Sequence, residues 1–114
     1  MPVNFLTDQQ RNSYGRFAGE PAAAELTKYF HLDEADYELI NVRRGPHNRL
    51  GYALQLATVR YLGTFLSNPL DVPAGVTAYI GAQLGIDPGC LPEYMERRET
   101  RMEHSQDIKI RLAY

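Results

Sequence analysis

Apolar residues recur along this chain at intervals of three and four, with proline and glycine falling between the runs, and that periodicity predicts helices rather than strands. Thr7 and Gln10 have the spacing of a capping box, in which the hydroxyl accepts a backbone N–H and the amide reaches back to the cap. A short helix to about Tyr14 is expected there, stopped by Gly15. Glu20-Pro21 opens a second helix, because proline suits the first turn and Ala22, Ala23, Ala24, Glu25 and Leu26 favour its continuation. Leu26, Tyr29 and Phe30 supply its apolar face. Asp33 is a good N-cap for a third helix, DEADYELINVRR, whose early acids suit the positive end of the helix dipole, and Gly45-Pro46 ends it.

A fourth helix, from about His47 to Leu66, places Leu50, Ala53, Leu54, Ala57, Tyr61 and Phe65 on one face. Tyr52, Leu56, Val59 and Leu62 occupy the rest, and a helix apolar on most sides belongs in the middle of a fold. SNPLDVP is a loop by composition. A fifth helix is expected from about Ala74 to Leu84, followed by a tight connection from Gly85 to Gly89 and a sixth helix carrying Leu91, Tyr94 and Met95. Thr100 with Glu103 forms another possible capping box. The tail IKIRLAY alternates apolar and polar residues, the pattern of a short strand or of the beginning of something longer. The pattern as a whole predicts an all-α fold, a compact bundle of about six to seven helices with helix-turn-helix-like units.

With 114 residues and 44% hydrophobic content, the chain can bury one core, so residues 1–114 are expected to form a single domain. The net charge of -2 weighs against nucleic acid, but its distribution changes that picture. Six acids between Glu20 and Glu38 face only Lys28, whereas no Asp or Glu occurs between Leu39 and Leu70, where Arg43, Arg44, Arg49 and Arg60 lie. A positive face therefore remains available. A single Cys90 and no leader-like N-terminus point to the cytoplasm, and Gln55, Arg60 and two glycines make the longest apolar helix too polar for a membrane span.

The residue chemistry favours binding over catalysis. His31, His47 and His104 are too scattered for a recognised metal motif, Cys90 has no partner cysteine, and Asp33, Glu34, Asp36 and Glu38 read more simply as a capped, solvated helix face than as metal ligands. No catalytic residue, cofactor or metal is expected. Arg43, Arg44, His47, Asn48 and Arg49 form the strongest cluster: arginine grips phosphate or forks onto guanine, asparagine pairs with adenine, and backbone N–H groups at a helix start meet a phosphate. The competing reading is that Arg43 and Arg44 cap the preceding helix at its negative end. Arg97, Arg98 and Arg101 are a second candidate set, with an i,i+4 salt-bridged surface to Glu93, Glu96 and Glu103 as the alternative. Most tyrosines fall at apolar helical positions and read as core. Two stretches have the outline of a helix-turn-helix, AAELTKYFHLDEADYELINVRR and VTAYIGAQLGIDPGCLPEYMERR, the latter with Ala82, Leu84 and Ile86 packing around its turn.

The segments FLTDQQRNSYGRFAGEP, LTKYFHLDEADYELINVRRGPHNRLGYALQLATVRYLGTFL, DVPAGVTAYIGAQLGID and RRETRMEHSQDI together resemble the N-terminal domain of Tn-3 family replicative transposases across almost the whole chain. The resemblance implies an all-α module that recognises the terminal inverted repeats of a mobile element, with double-stranded DNA as its partner, alongside the rest of a transposase or another copy of it. Family transposases are several times longer and carry acidic, metal-binding catalytic residues in a distant C-terminal region with no counterpart in these 114 residues. The resemblance therefore implies a non-catalytic piece: an excised domain, a truncated product or a small regulator. The rival to DNA recognition is a protein-interaction module, favoured by the net negative charge and the acids from Asp33 to Glu38.

Overall fold

A computed structural model of the chain describes residues 19–66, 68 and 71–112. The expected helix before Tyr14 lies outside them. Among the described residues six α-helices follow one another: α1 (Ala23–Tyr29), α2 (Glu34–Asn41), α3 (Pro46–Leu62), α4 (Ala74–Leu84), α5 (Leu91–Tyr94) and α6 (Arg98–Leu112), with a 3-10 turn at Pro88–Cys90 before α5. No strand occurs among the described residues. The all-α expectation holds.

The helix ends follow local chemistry. The Ala22 N–H donates to the Glu25 carboxylate at 3.0 Å, which starts α1 just after Pro21. Asp33 caps α2 by accepting from the Asp36 N–H at 2.8 Å, and Asp36 returns the bond to the Asp33 N–H at 3.1 Å. α2 stops at Asn41 rather than running to Arg44, because the chain turns through Gly45 at φ 84°. α3 likewise ends at Leu62 and not at Leu66, since Gly63 adopts a left-handed φ of 79° and its N–H closes the last turn on the Val59 carbonyl.

α3 is the axis of the molecule. Ten consecutive residues, Leu50 to Val59, are buried, and α1, α2, α4, α5 and α6 all pack on it. Phe30 and Ile40 close one side, Val76 and Ile80 a second, and Tyr94 and Ile108 a third. Gly51 is required where α5 crosses, because a Cβ there meets the Tyr94 ring at 2.4 Å.

A helix buried on all sides must also satisfy its polar side chains internally. Gln55 donates to the Tyr94 hydroxyl at 2.6 Å and accepts from Ser105 at 2.8 Å. The Tyr94 hydroxyl, having accepted from Gln55, donates to His104 Nδ1 at 2.7 Å, which assigns the ring proton of neutral His104 to Nε2. Burial, then the positive charge of Arg43, push the His104 imidazole down to about 4. Arg60 donates to Asp36 through both terminal guanidinium nitrogens, Nη2 at 2.6 Å and Nη1 at 2.7 Å, and Asp36 is 1% exposed. Burial alone raises that carboxyl, but the bond from Arg60 and its charge, with the Asp33 contacts, hold it below the ordinary value. Asp36 is thus a core ion-pair partner and not part of a solvated face. On the far side Gln83 of α4 staples the α1–α2 turn, donating to the Phe30 carbonyl and accepting from the Leu32 N–H, each at 2.8 Å.

Three other expectations change. The sixth predicted helix is a single turn ending at Tyr94, because the side chains of Leu91 and Tyr94 are drawn under α3. Thr100 lies inside α6 and is no cap. Residues 108–112 continue α6: Ile108 is buried one turn after His104, while Ile110 is 79% exposed, so the apparent alternation comes from an apolar residue facing solvent.

Two outcomes follow from this packing. Leu54→Ala should lower unfolding free energy by about 2–5 kcal/mol in denaturant titration, as buried leucine truncations do. Because His104 has a folded-state value of about 4 against 6.5 unfolded, the unfolded chain takes up the proton first, and stability falls as pH drops from 6.5 towards 4. The loss is on the order of 3 kcal/mol at about 1.36 kcal/mol per unit. His104→Gln should flatten that part of a melting-temperature profile.

Candidate nucleic-acid interface

The turn from Val42 to Gly45 and the first turn of α3 hold Arg43, Arg44, His47, Asn48 and Arg49, so the structure brings the first candidate set to one corner. Most of the set is engaged internally. Arg43 donates through Nη2 to Asp107 on α6 at 2.9 Å, donates through Nε to the Leu39 carbonyl at 3.2 Å, and lies over the Tyr52 ring at 4.1 Å. Arg49 donates to the Arg43 carbonyl at 3.1 Å and to the Asn41 carbonyl at 3.5 Å. Asn48 donates to the Arg44 carbonyl at 2.7 Å. Side chains from the first turn of α3 thus clamp the backbone that precedes it.

Helix capping therefore accounts for some of these arginines and not for others. Arg43 and Arg49 satisfy carbonyls at the end of α2, as cations near a helix C-terminus do. Arg44 is exposed, and among the described residues its guanidinium has no hydrogen-bond or ion-pair partner. His47 is half-buried, with Nδ1 3.5 Å from Glu93 on α5. Gly45 gives α3 no side-chain cap, its first turn carries no acid, and its first N–H groups have no partner within the helix. A groove of about 410 Å³ opens beside the corner, lined by Asn41, Pro46, Arg49, Ile86, Asp87 and Cys90 among others.

Asp107 anchors this corner from 64 residues away. It also accepts from Tyr52 at 2.6 Å and from Arg111 at 2.9 Å. Burial raises its carboxyl, but the bonds from Tyr52 and Arg111 outweigh that and hold it below the usual carboxylate range. Burial and the bond to Asp107 push the Tyr52 hydroxyl up to about 12, so it remains a donor. Neither Asp107 nor Glu93 stands near the corner in sequence, and no local motif marks them. Only the spacing of Ile108 and His104 on one face of α6, read as helix rather than strand, was a usable signal for Asp107.

The second candidate set is only partly assembled. Arg101 donates to the Met95 carbonyl at 2.6 Å and so caps the end of α5. Arg97 and Arg98 are exposed, and no ion pair joins any of the three to Glu93, Glu96 or Glu103 among the described residues. The alternative i,i+4 surface fails because the helix is interrupted between Met95 and Arg97. Both helix-turn-helix outlines exist as helix pairs, α1–α2 and α4–α5. In the second the later helix is one turn, its apolar side chains are buried, and Ala82 is exposed rather than packed in the turn. In the first the outward face of α2 presents Glu34 and Glu38, which repel phosphate.

The remaining chemistry is sparse. Among the described residues no group of three or more His, Cys, Asp or Glu side chains is placed to hold a metal ion. Burial pushes the half-buried Cys90 thiol up, with Glu93 and Asp87 adding to it, which keeps it protonated. No helix among those residues is long and apolar enough to cross a membrane.

The structure defines a small all-α module with a clamped cationic corner. The chain belongs to a family described as a domain of unknown function, DUF4158, which matches residues 5–114 and the N-terminus of Tn-3 family transposases. It is 50% identical over 115 residues to the transposase for transposon gamma-delta of Escherichia coli strain K12, an alignment covering 100% of this chain and 12% of that protein. It is 35% identical over 104 residues to the transposase for transposon Tn1546 of Enterococcus faecium, covering 91% of the chain and 10% of the relative. The transposase for transposon Tn501 of Pseudomonas aeruginosa is 38% identical over 85 residues, 75% of the chain and 9% of the relative. The chain thus spans about an eighth or less of the length of these curated relatives, and its role is associated with transposases.

The contrast between neighbouring arginines is measurable without DNA. Arg43→Ala leaves Asp107 short of one cation and uncovers Tyr52, and should cost about 1–3 kcal/mol in chemical denaturation. Arg44→Ala should fall within about 0.5 kcal/mol of the parent.

Proposed function

We propose that this chain is the DNA-binding module of a Tn-3 family transposase, recognising the terminal inverted repeats of its element and contributing no catalytic residue. One observation carries the reading: α3 begins without a side-chain cap or a first-turn acid, directly beside the exposed Arg44. The positive end of a 17-residue helix and an available guanidinium meet there, a pairing suited to a phosphodiester. Membership of a family found at the N-terminus of transposases supports the ends of a mobile element as the DNA in question.

In this reading Arg44 and the first N–H groups of α3 grip one phosphate, while Arg43 and Arg49 hold the turn that presents them. Asn48 spends its amide N–H on the Arg44 carbonyl, which leaves its carbonyl oxygen to accept from an adenine or cytosine amino group. Arg49 borders the groove and addresses the neighbouring strand. Arg97, Arg98 and Arg101 follow α5, the helix that Glu93 ties to the same corner, and the two exposed members of that set are assigned to flanking phosphates. The acidic outward face of α2 supports a second reading, a protein-interaction module of the transposition machinery that contacts the rest of a transposase or another copy. The cytoplasm is the setting in either case.

Titration of labelled repeat and random duplexes at two salt concentrations separates the readings. Arg44→Ala should weaken both duplexes alike and reduce the slope of log affinity against log salt by about one. Asn48→Ala should cost about 1–3 kcal/mol on the repeat and little on random DNA. Absence of binding to either duplex at low salt would favour the interaction module.

A further inference from the structure

One carboxylate intrudes on the cationic corner. Glu93 lies on α5 with its side chain 64% exposed, yet its Oε2 is 3.5 Å from His47 Nδ1 in the first turn of α3. It arrives there because α5 is pressed onto α3: Gly51 admits the Tyr94 ring, and Tyr94 is fixed by Gln55 and His104, so the residue before it is carried to the start of α3. The α3 first turn has no acid of its own. Two other acids lie near the corner: Asp107 is held by three donors on one oxygen, and Asp87, in the adjoining groove, caps the Gly89 N–H at 2.9 Å, so both are committed to the fold. Among the described residues Glu93 has the single side-chain contact to His47, longer than the roughly 2.7–2.9 Å of a tight charge-assisted bond.

We propose that Glu93 is a built-in competitor for DNA phosphate at the start of α3. In the free protein its carboxylate occupies the electropositive position beside His47, and it swings into solvent when a phosphodiester arrives. Little holds it back, because the side chain is mostly solvated and one loose contact is exchanged for several made by the phosphate. The competitor weakens every encounter that offers the corner only a phosphate, and leaves base-edge contacts to lift the correct site above that threshold. This inference rests on the DNA-binding reading above.

The test compares the parent chain with Glu93→Gln, Glu34→Gln and Arg44→Ala on a fluorescein-labelled random-sequence duplex and on a repeat-bearing one, across a salt series. Glu34 is an exposed acid at the far end of α2 from the corner, so its variant makes the same change in net charge elsewhere. Glu93→Gln should bind both duplexes about 3- to 10-fold more tightly at low ionic strength. The gain should shrink as salt shortens the Debye length, and Glu34→Gln should stay near the parent. If the parent binds and Arg44→Ala weakens it, but Glu93→Gln gains no more than Glu34→Gln, the competitor is overturned while the DNA corner stands. If none of the four proteins binds either duplex at low salt, the DNA reading fails and takes the competitor with it.

Discussion

Burial of α3 on every side is the constraint on which the rest of the structure depends. A helix wrapped by five others gains a large apolar contribution, but its buried polar side chains then call for partners from the wrapping layer, which the Thr58 hydroxyl lacks among the described residues. Gln55, Tyr52 and Arg60 find theirs in Tyr94 and Ser105, in Asp107, and in Asp36. These contacts fix which helix lies where. Asp36 orients α2, Tyr94 orients α5, and Ser105 with Asp107 sets the rotation of α6. The same demand places glycine at position 51, where a methyl group would collide with the Tyr94 ring.

The cationic corner is a by-product of that scaffold. α3 must be entered from α2 through a tight turn, and carbonyls at and just after the end of α2 accept from Arg49 and Arg43. Two of the four arginines that make residues 39–70 look strongly basic are thereby committed, and Arg60 is neutralised by Asp36. What remains is a small display: Arg44, the start of α3, and a histidine beside one acid. A turn held by its own backbone clamps has less conformational freedom left to lose on binding of any kind.

α6 links the corner to the rest of the module. Its inward face carries His104 and Ile108 in the core, and one turn further along that flank Asp107 gathers Arg43, Tyr52 and Arg111. Any movement of α6 relative to α3 must break that cluster and disturb the turn that presents Arg44.

Periodicity alone determined that this is an all-α chain, that the helix beginning near Pro46 is the central one, and that a cation-rich turn precedes it, because each of these is written in neighbours three or four residues apart or in a proline-glycine break. Helix lengths were less legible: α2 loses Val42–Arg44 to the turn, α5 shrinks to Leu91–Tyr94, and residues 108–112 join α6, since Ile110 is an apolar residue that faces solvent. The candidate site was visible as a set of residue types but not as a division of roles. Nothing local distinguishes Arg43, tied to Asp107, from Arg44, which is exposed, or marks Asp36 as buried and Glu93 as the acid beside His47. Only the tertiary structure decided these, because a charge is committed or free according to the partner that folding brings within about 3 Å, and such partners lie 24 to 64 residues away along the chain.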